Sequence, residues 1–173
     1  MKNISNLYID EFRGYLKCIA RLCAKGYSFG VVAYEAESDI DAFVSRLVEF
    51  WGRGDEYIEP RLYEYLGHEQ TESAQLSKEI ESFIFNGLLD RANMPSEAAK
   101  DYATKMLTED INEYYGLVSV SLNEEGAFHP LLSNEVYLLN INHSEHEQRL
   151  YFIVQIENVF VLTYFLKRTR NGT

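Results

Sequence analysis

The most apolar stretch of the chain, from Gln148 to Arg168, constrains the fold more than any other segment. It contains two runs rich in β-branched and aromatic residues, Arg149 to Ile156 and Val159 to Leu166, separated by Glu157-Asn158. Two such runs around a two-residue turn predict a β-hairpin, and Asn tolerates the positive φ that tight hairpin turns need. Because the apolar residues are consecutive and do not alternate with polar ones, both faces of these strands are expected to be covered by the rest of the chain.

Helical periodicity dominates the first two thirds of the chain. The clearest pattern begins at Ser38 and runs to Trp51, with apolar residues three and four positions apart. Trp51 belongs to this apolar stripe and is expected in the core. The run from Ser28 to Ala36 suits either a strand or a helix, and we assign it to a helix because predicted helices flank it. The full set of predicted helices covers residues 5–25, 28–36, 38–51, 60–67, 73–89 and 95–115.

Beyond Gly116 the apolar residues follow a period of two, which predicts strands. We place one strand at Leu117 to Leu122, a turn at Asn123 to Gly126 and a second strand at Glu135 to Ile141. Together with the hairpin these give about four strands, which pack under the preceding helices. The sequence therefore predicts a single α+β domain over residues 1–173, with helices in its N-terminal two thirds and a mostly antiparallel β-meander at its C-terminal end.

Two negative features indicate where the protein works. No apolar run reaches the roughly 20 residues that cross a bilayer, and the N-terminal residues include acids where a signal peptide is apolar. The two cysteines, Cys18 and Cys23, are five residues apart in a predicted helix, which is too far for a disulfide. We therefore expect a cytoplasmic protein with free thiols.

Negative charge is concentrated in one segment. Between Glu35 and Glu81 the chain carries 13 acidic residues against four basic ones, within a total net charge of −11. A field of this sign repels phosphate backbones and attracts cationic proteins. The segment therefore predicts a basic protein partner and disfavours direct nucleic-acid binding, although acids that only keep the chain soluble would give the same composition.

Within that segment, acids and tyrosines interleave from Asp55 to Glu72. A solvated surface has no need of tyrosines, whereas a protein interface uses them because each buries a large area at low entropic cost. The alternative is that the rings pack beneath their own backbone and only the hydroxyls reach water. The predicted contact residues are Asp55, Glu56, Tyr57, Glu59, Tyr63, Glu64, Tyr65, Glu69 and Glu72.

A small, acidic, tyrosine-rich domain of this kind resembles the immunity proteins that protect bacteria from contact-dependent growth inhibition toxins. The resemblance lies in size, charge and aromatic content over the whole chain, and the stretch from Asp55 to Glu72 carries it best. It implies a one-to-one complex with a basic toxin domain, commonly a nuclease, whose active site is covered. The resemblance transfers no residue-level motif.

The usual sequence marks of catalysis are missing, because the chain has no GxSxG, Walker lysine loop, GxGxxG or CxxC. We therefore expect no enzyme activity, no cofactor and no functional metal. Two alternatives stay open. The first is a metal-dependent hydrolase that uses His129, His143, His146 and the acids beside them. The second is a small-molecule-binding regulatory domain with a pocket lined by Trp51, Phe83 and Tyr102.

Overall fold

A computed structural model describes residues 1–36, 39–52, 63–90 and 96–168. The α-helices are α1 (Leu7–Leu22), α2 (Ile40–Gly52), α3 (Ser73–Leu89) and α4 (Glu97–Leu122), and a short 3-10 helix covers Leu131–Ser133. The strands are β1 (Asn3–Ile4), β2 (Tyr27–Glu35), β3 (Tyr63–Thr71), β4 (Val136–His143), β5 (His146–Ile156) and β6 (Val159–Arg168). The described residues thus form a mixed α+β structure.

The strands form one sheet in the order β1-β2-β6-β5-β4-β3, and every neighbouring pair is antiparallel. The predicted apolar hairpin is confirmed as β5 and β6, and it occupies the centre of the sheet. Its turn differs in one detail, because the positive φ, +50°, belongs to Glu157. The sequence pattern had favoured Asn158 for that conformation.

Helices cover both faces of the hairpin, as its continuous apolar sequence predicts. Phe152 and Val154 of β5 join the core that packs against α1, α3 and α4, and we call this side of the sheet the three-helix face. Tyr151 and Ile153, which alternate with them, join the core that packs against α2, and we call this side the α2 face. Phe152 is fully buried, and truncating a buried Phe to Ala costs about 3–5 kcal/mol.

The predicted helix over 28–36 is wrong, because this run forms β2. It pairs with β6 over nine residues, from Tyr27 opposite Lys167 to Glu35 opposite Val159. Phe29, Val31 and Ala33 are buried on the three-helix face, which is the alternation of a strand. The long pairing with an apolar central strand decides the conformation, and the sequence of 28–36 alone does not reveal that partner.

Two further predictions around the sheet are wrong. The short helix placed at 60–67 is, in its described part, the beginning of β3. The strand placed at Leu117–Leu122 is instead the last part of α4, in which Ile111, Tyr115 and Val118 continue one buried helical stripe past Gly116. Gly116 does not end the helix. The Phe128 ring packs on it so closely that a Cβ would overlap the ring. The sheet therefore has six strands where about four were predicted.

The remaining helix predictions are confirmed, and side-chain caps are identified for α1 and α2. Asn6 caps α1 by accepting a hydrogen bond from the Ile9 N–H at 3.0 Å, and Asp39 caps α2 by accepting from Ala42 N–H at 2.9 Å. Ser38, the predicted cap of α2, lies outside the described residues. Cys18 is exposed and Cys23 is buried, and both are free thiols.

Among the four described helices, none combines the length and the apolar character needed to cross a bilayer.

Candidate partner-binding surface

The predicted contact residues that the structure describes lie in or next to β3. Tyr63, Glu64, Tyr65 and Glu69 are in the strand, and Glu72 follows it at the N-cap position of α3. The other predicted contact residues, Asp55, Glu56, Tyr57 and Glu59, lie outside the described residues. The strand pairs with β4 on one side, and in the described part of the chain no strand pairs with its other side.

The β3–β4 register separates the tyrosines from the carboxylates. Tyr65 lies opposite Ile141, which belongs to the α2 face, and Tyr63 is in phase with it. Glu69 lies opposite Leu138, which packs on the three-helix face, and Glu64 lies on the same side opposite Asn142. The strand therefore presents aromatic rings on one face and carboxylates on the other.

Both tyrosine rings are half-buried and take part in packing. The Tyr63 ring centroid lies 5.4 Å from that of Trp51 and 4.2 Å from that of His143. The Tyr65 hydroxyl donates a hydrogen bond to Asp41 Oδ1 at 2.7 Å. Burial, followed by this bond to the Asp41 carboxylate, raises the pKa of Tyr65 above its ordinary value. A direct role of these two rings in partner binding stays a prediction.

Asp41 connects α2 with β3 at this point. Its Oδ1 also lies 3.0 Å from His68 Nδ1, so one carboxylate oxygen meets two side chains of β3. The hydrogen bond from Tyr65 and, with a smaller effect, the one from His68 hold the pKa of Asp41 below its usual range. This contact fixes the α2 side of β3 and leaves the opposite side for other contacts.

The carboxylates of Glu64, Glu69 and Glu72 are exposed, and we call these three the β3 carboxylates. Within the described ranges none of them forms an ion pair. Uncompensated carboxylates along a strand edge create a negative potential that a cationic protein can meet. Of the predicted contact residues, these three fit the role assigned to them by charge.

A cleft of about 380 Å³ lies beside β3. It opens at a β-bulge, where Leu66 and Gly67 together face the single residue Asn140, and Gly67 has φ +117°. We call this cavity the β3 cleft. Its lining includes Leu66, Glu69, Glu79, Leu138, Asn140 and Leu150.

Leu66, Glu79 and Asn140 line the β3 cleft but were not among the contact residues predicted from the sequence. One signal could have indicated the strand, since Tyr63, Glu64 and Tyr65 alternate aromatic and charged positions in the way of a half-buried strand. Nothing local to Glu79 distinguishes it from other acids on α3, because its role depends on the bulge across from it.

The three histidines of the metal alternative do not converge. His143 and His146 are buried at the tip of the β4–β5 hairpin, with ring centroids 4.6 Å apart. His129 lies in another part of the fold, where its backbone N–H donates a hydrogen bond to Ser119 Oγ. Among the described residues, no group of three or more His, Cys, Asp and Glu is placed to hold a metal ion.

His146 is held in its neutral form. Burial, followed by the neighbouring His143 and Arg168, lowers the pKa of His146 to about 4. His146 Nδ1 is buried and has no hydrogen-bond partner among the described residues. A buried, neutral imidazole is sensitive to acid, because the proton that it gains would place a charge in an apolar setting.

The pocket of the second alternative is not formed by the residues named for it. Trp51 packs on the α2 face, whereas Phe83 packs on the three-helix face. Tyr102 of α4 is 68% exposed. The three side chains therefore line no common space.

Comparison with family models and with curated proteins finds no match. Among solved structures, the crystal structure of citrus MAF1 aligns with 92% of this chain and 98% of its own, at 10% sequence identity and a TM-score of 0.41. Neither value supports an inference about what this chain does.

Proposed function

We propose that this protein is an immunity protein, which binds a basic bacterial toxin domain one-to-one and neutralises it by covering its active site. The observation that carries the proposal is the set of three exposed β3 carboxylates, which pair with no cation of the described residues, on a chain of net charge −11. The toxin class that fits best is a nuclease.

A nuclease must hold a polyanion, so its substrate groove presents Lys and Arg. Carboxylates placed along a projecting edge offer such a groove the same sign of charge as its substrate. Complementary charge accelerates the encounter, and buried contacts at the centre of the interface slow dissociation. An inhibitor of this kind needs no catalytic residue and no cofactor, in keeping with the sequence.

The surroundings of β3 make its charge available to a partner. Glu64 and Glu69 point to the side of the strand away from the half-buried tyrosines, and no described cation neutralises them. By contrast, Asp101 of α4 is exposed but already pairs with Lys105 at 3.0 Å. A surface acid that keeps its full charge contributes more to steering than one already paired.

The test has two stages. A tagged form of the chain captures its partner from the native host, and the captured protein is then expressed alone and together with the chain. We expect the partner to be basic, to arrest growth when expressed alone, and to lose this effect when the chain is present. A captured partner that is harmless, or growth arrest that the chain does not relieve, would reject the immunity role.

Association kinetics then locate the surface. The variant Glu64→Lys/Glu69→Lys is compared with Glu109→Lys/Glu113→Lys, which makes the same change in net charge on the exposed side of α4. Glu72 is left intact because it stands at the N-cap of α3. We expect the first variant to slow association by at least about tenfold at low salt and the second to change it little, because steering depends on where the charge is placed. Equal slowing by both variants would reject β3 as the contact surface.

A further inference from the structure

The outer side of β3 has the features of a strand-pairing site. The strand is nine residues long, and its backbone meets no other strand on that side within the described residues. An unpaired edge offers a row of N–H and C=O groups to any extended segment that reaches it. The bulge and the charges beside the strand decide which kind of segment can bind there.

The bulge sets the length of the usable edge. Because Leu66 and Gly67 together face Asn140, the regular hydrogen-bonding pattern is interrupted there. His68 to Thr71 form an uninterrupted ladder with β4 on the far side of the bulge. A partner segment can therefore add regular strand pairing along these four residues.

Charge selects the occupant. A second copy of this chain paired along His68–Thr71 would bring the Glu69 carboxylates of the two edge strands close together, and like charges across a strand pair are unfavourable. A segment that points an Arg or Lys to the three-helix side of β3 would place that cation beside Glu69. Edge carboxylates thus discourage self-association while favouring a cationic strand.

The β3 cleft suits the side chain that such a strand would bring. Leu66, Leu138 and Leu150 supply an apolar lining for the methylene stem of an arginine, and Glu69 and Glu79 supply carboxylates for its head. Arg149 also lines the cleft, but its Nη1 donates to the His143 carbonyl at 2.9 Å. That contact directs the resident guanidinium to the hairpin tip.

We propose that the cationic partner binds by strand addition, with an extended arginine-bearing segment paired to His68–Thr71 and one arginine side chain in the β3 cleft. The inference rests on the proposed function, since it specifies how the basic partner reaches this surface. It assigns a role to the backbone of β3, which charge complementarity alone does not require.

Three synthetic peptides test it against the full chain. The first is acetylated and amidated (Arg-Val)4, which favours strands. The second is (Arg-Pro)4, which has the same charge but favours polyproline II over a strand, because proline fixes φ near −65° and removes every second N–H. The third is (Glu-Val)4, which has the opposite charge. Binding is measured by calorimetry, and the binding site by hydrogen exchange with mass spectrometry.

We expect (Arg-Val)4 to bind at least about tenfold more tightly than (Arg-Pro)4, and (Glu-Val)4 not to bind. Exchange should slow in residues 63–71 and stay unchanged in residues 27–35. The variant Glu69→Gln/Glu79→Gln should weaken (Arg-Val)4 by several-fold, whereas Glu109→Gln/Glu113→Gln should not. Equal affinity for the two arginine peptides, absence of protection in 63–71, or sedimentation of the free chain as a dimer paired through β3 would overturn the inference.

The outcomes separate this inference from the proposed function. If (Arg-Val)4 pairs with β3 but the captured partner is not toxic, strand addition stands and the immunity role fails. If the chain relieves toxicity but the peptides bind without discriminating between Val and Pro, the immunity role stands and strand addition fails.

Discussion

The two outer edges of the sheet differ in how far the rest of the chain covers their backbone groups. On the β2 side, β1 pairs with Ala33 and Tyr34, and Arg13 of α1 donates from Nε to the Val31 carbonyl at 3.1 Å. On the β3 side, no described strand or side chain closes the edge in this way, and the exposed positions include the β3 carboxylates. On the β2 side the described residues satisfy part of the edge, whereas on the β3 side they leave it unpaired and carry exposed carboxylates beside it.

The largest expected effect comes from Gly67, which forms the bulge in β3. Gly67→Ala should destabilise the protein by about 2 kcal/mol, because φ +117° is a conformation that L side chains rarely adopt. Gly14→Ala is the matched control, since a Cβ at either position meets nothing within 4 Å. Gly14 lies inside α1, so this change should stabilise by roughly 0.5–1 kcal/mol. Urea unfolding measures both, and a shift of the same sign in the two variants would show that φ does not decide the outcome.

The next effect concerns the closed edge. Arg13→Ala removes the donor to the Val31 carbonyl and the 2.7 Å contact with Asp10, so we expect a loss of about 1–1.5 kcal/mol. Amide exchange should also become faster in β2 and stay unchanged in β3. Lys17→Ala, an exposed site on the same helix, is the control and should change stability by less than about 0.5 kcal/mol. Equal exchange in the variant and the wild type would mean that Arg13 does not close this edge.

A third prediction uses pH to loosen the tip of the β4–β5 hairpin, where His143 packs against Tyr63 of β3. The folded pKa of His146 is about 4, below its ordinary value of 6.5, so the folded state binds fewer protons than the unfolded state between these values. Stability should therefore be lost as the pH falls through this window. The groups that face His146 are His143, Arg168 and Arg149, which oppose its protonation, and Glu145, which favours it.

Between pH 7 and pH 5 the wild type should lose roughly 1 kcal/mol more than His146→Gln, after allowance for solvent screening at the hairpin tip. Exchange should become faster near Tyr63, whose ring packs on His143, before it does in β2. His129→Gln, at an exposed position, should behave like the wild type. If the free energy of unfolding falls equally with pH in the wild type and in His146→Gln, protonation of His146 does not cause the loss of stability.

The smallest expected effect on stability comes from Leu66, which is 55% exposed at the bulge. Leu66→Lys should change the free energy of unfolding by less than about 0.5 kcal/mol, because little apolar area is lost. It should nevertheless weaken (Arg-Val)4 binding by several-fold, since it adds a cation and removes part of the cleft lining. Leu132→Lys, at a similarly exposed residue, is the control. Unchanged peptide affinity for the Leu66 variant would place the arginine elsewhere.

The elements that could be predicted from the sequence are those whose own residues specify them. The β5–β6 hairpin and the stripe of α2 from Ile40 to Val48 carry enough apolar periodicity to be identified alone. β2 was misassigned because its decisive partner, β6, lies more than 120 residues further along the chain. β3 was misassigned because an edge strand buries little and its sequence is largely polar.

The candidate site divides in the same way. Composition alone indicated that the acidic stretch ending at Glu72 is unusual, and Glu64 and Glu69 are exposed on β3, while their role as contact residues stays a prediction. The separation of Tyr63 and Tyr65 from those carboxylates follows from strand register, which the predicted helix could not supply. The β3 cleft depends on the bulge and on Glu79 of α3, so only the packed fold brings it together.

The most direct measurement of the central claim is hydrogen exchange of the complex with the captured basic partner, read at both edges of the sheet. We expect strong protection in residues 63–71 and no change in residues 27–35. This protection should be lost in the variant Glu64→Lys/Glu69→Lys and retained in the variant Glu109→Lys/Glu113→Lys. Protection confined to β2 or to α4, with β3 exchanging as in the free protein, would contradict it.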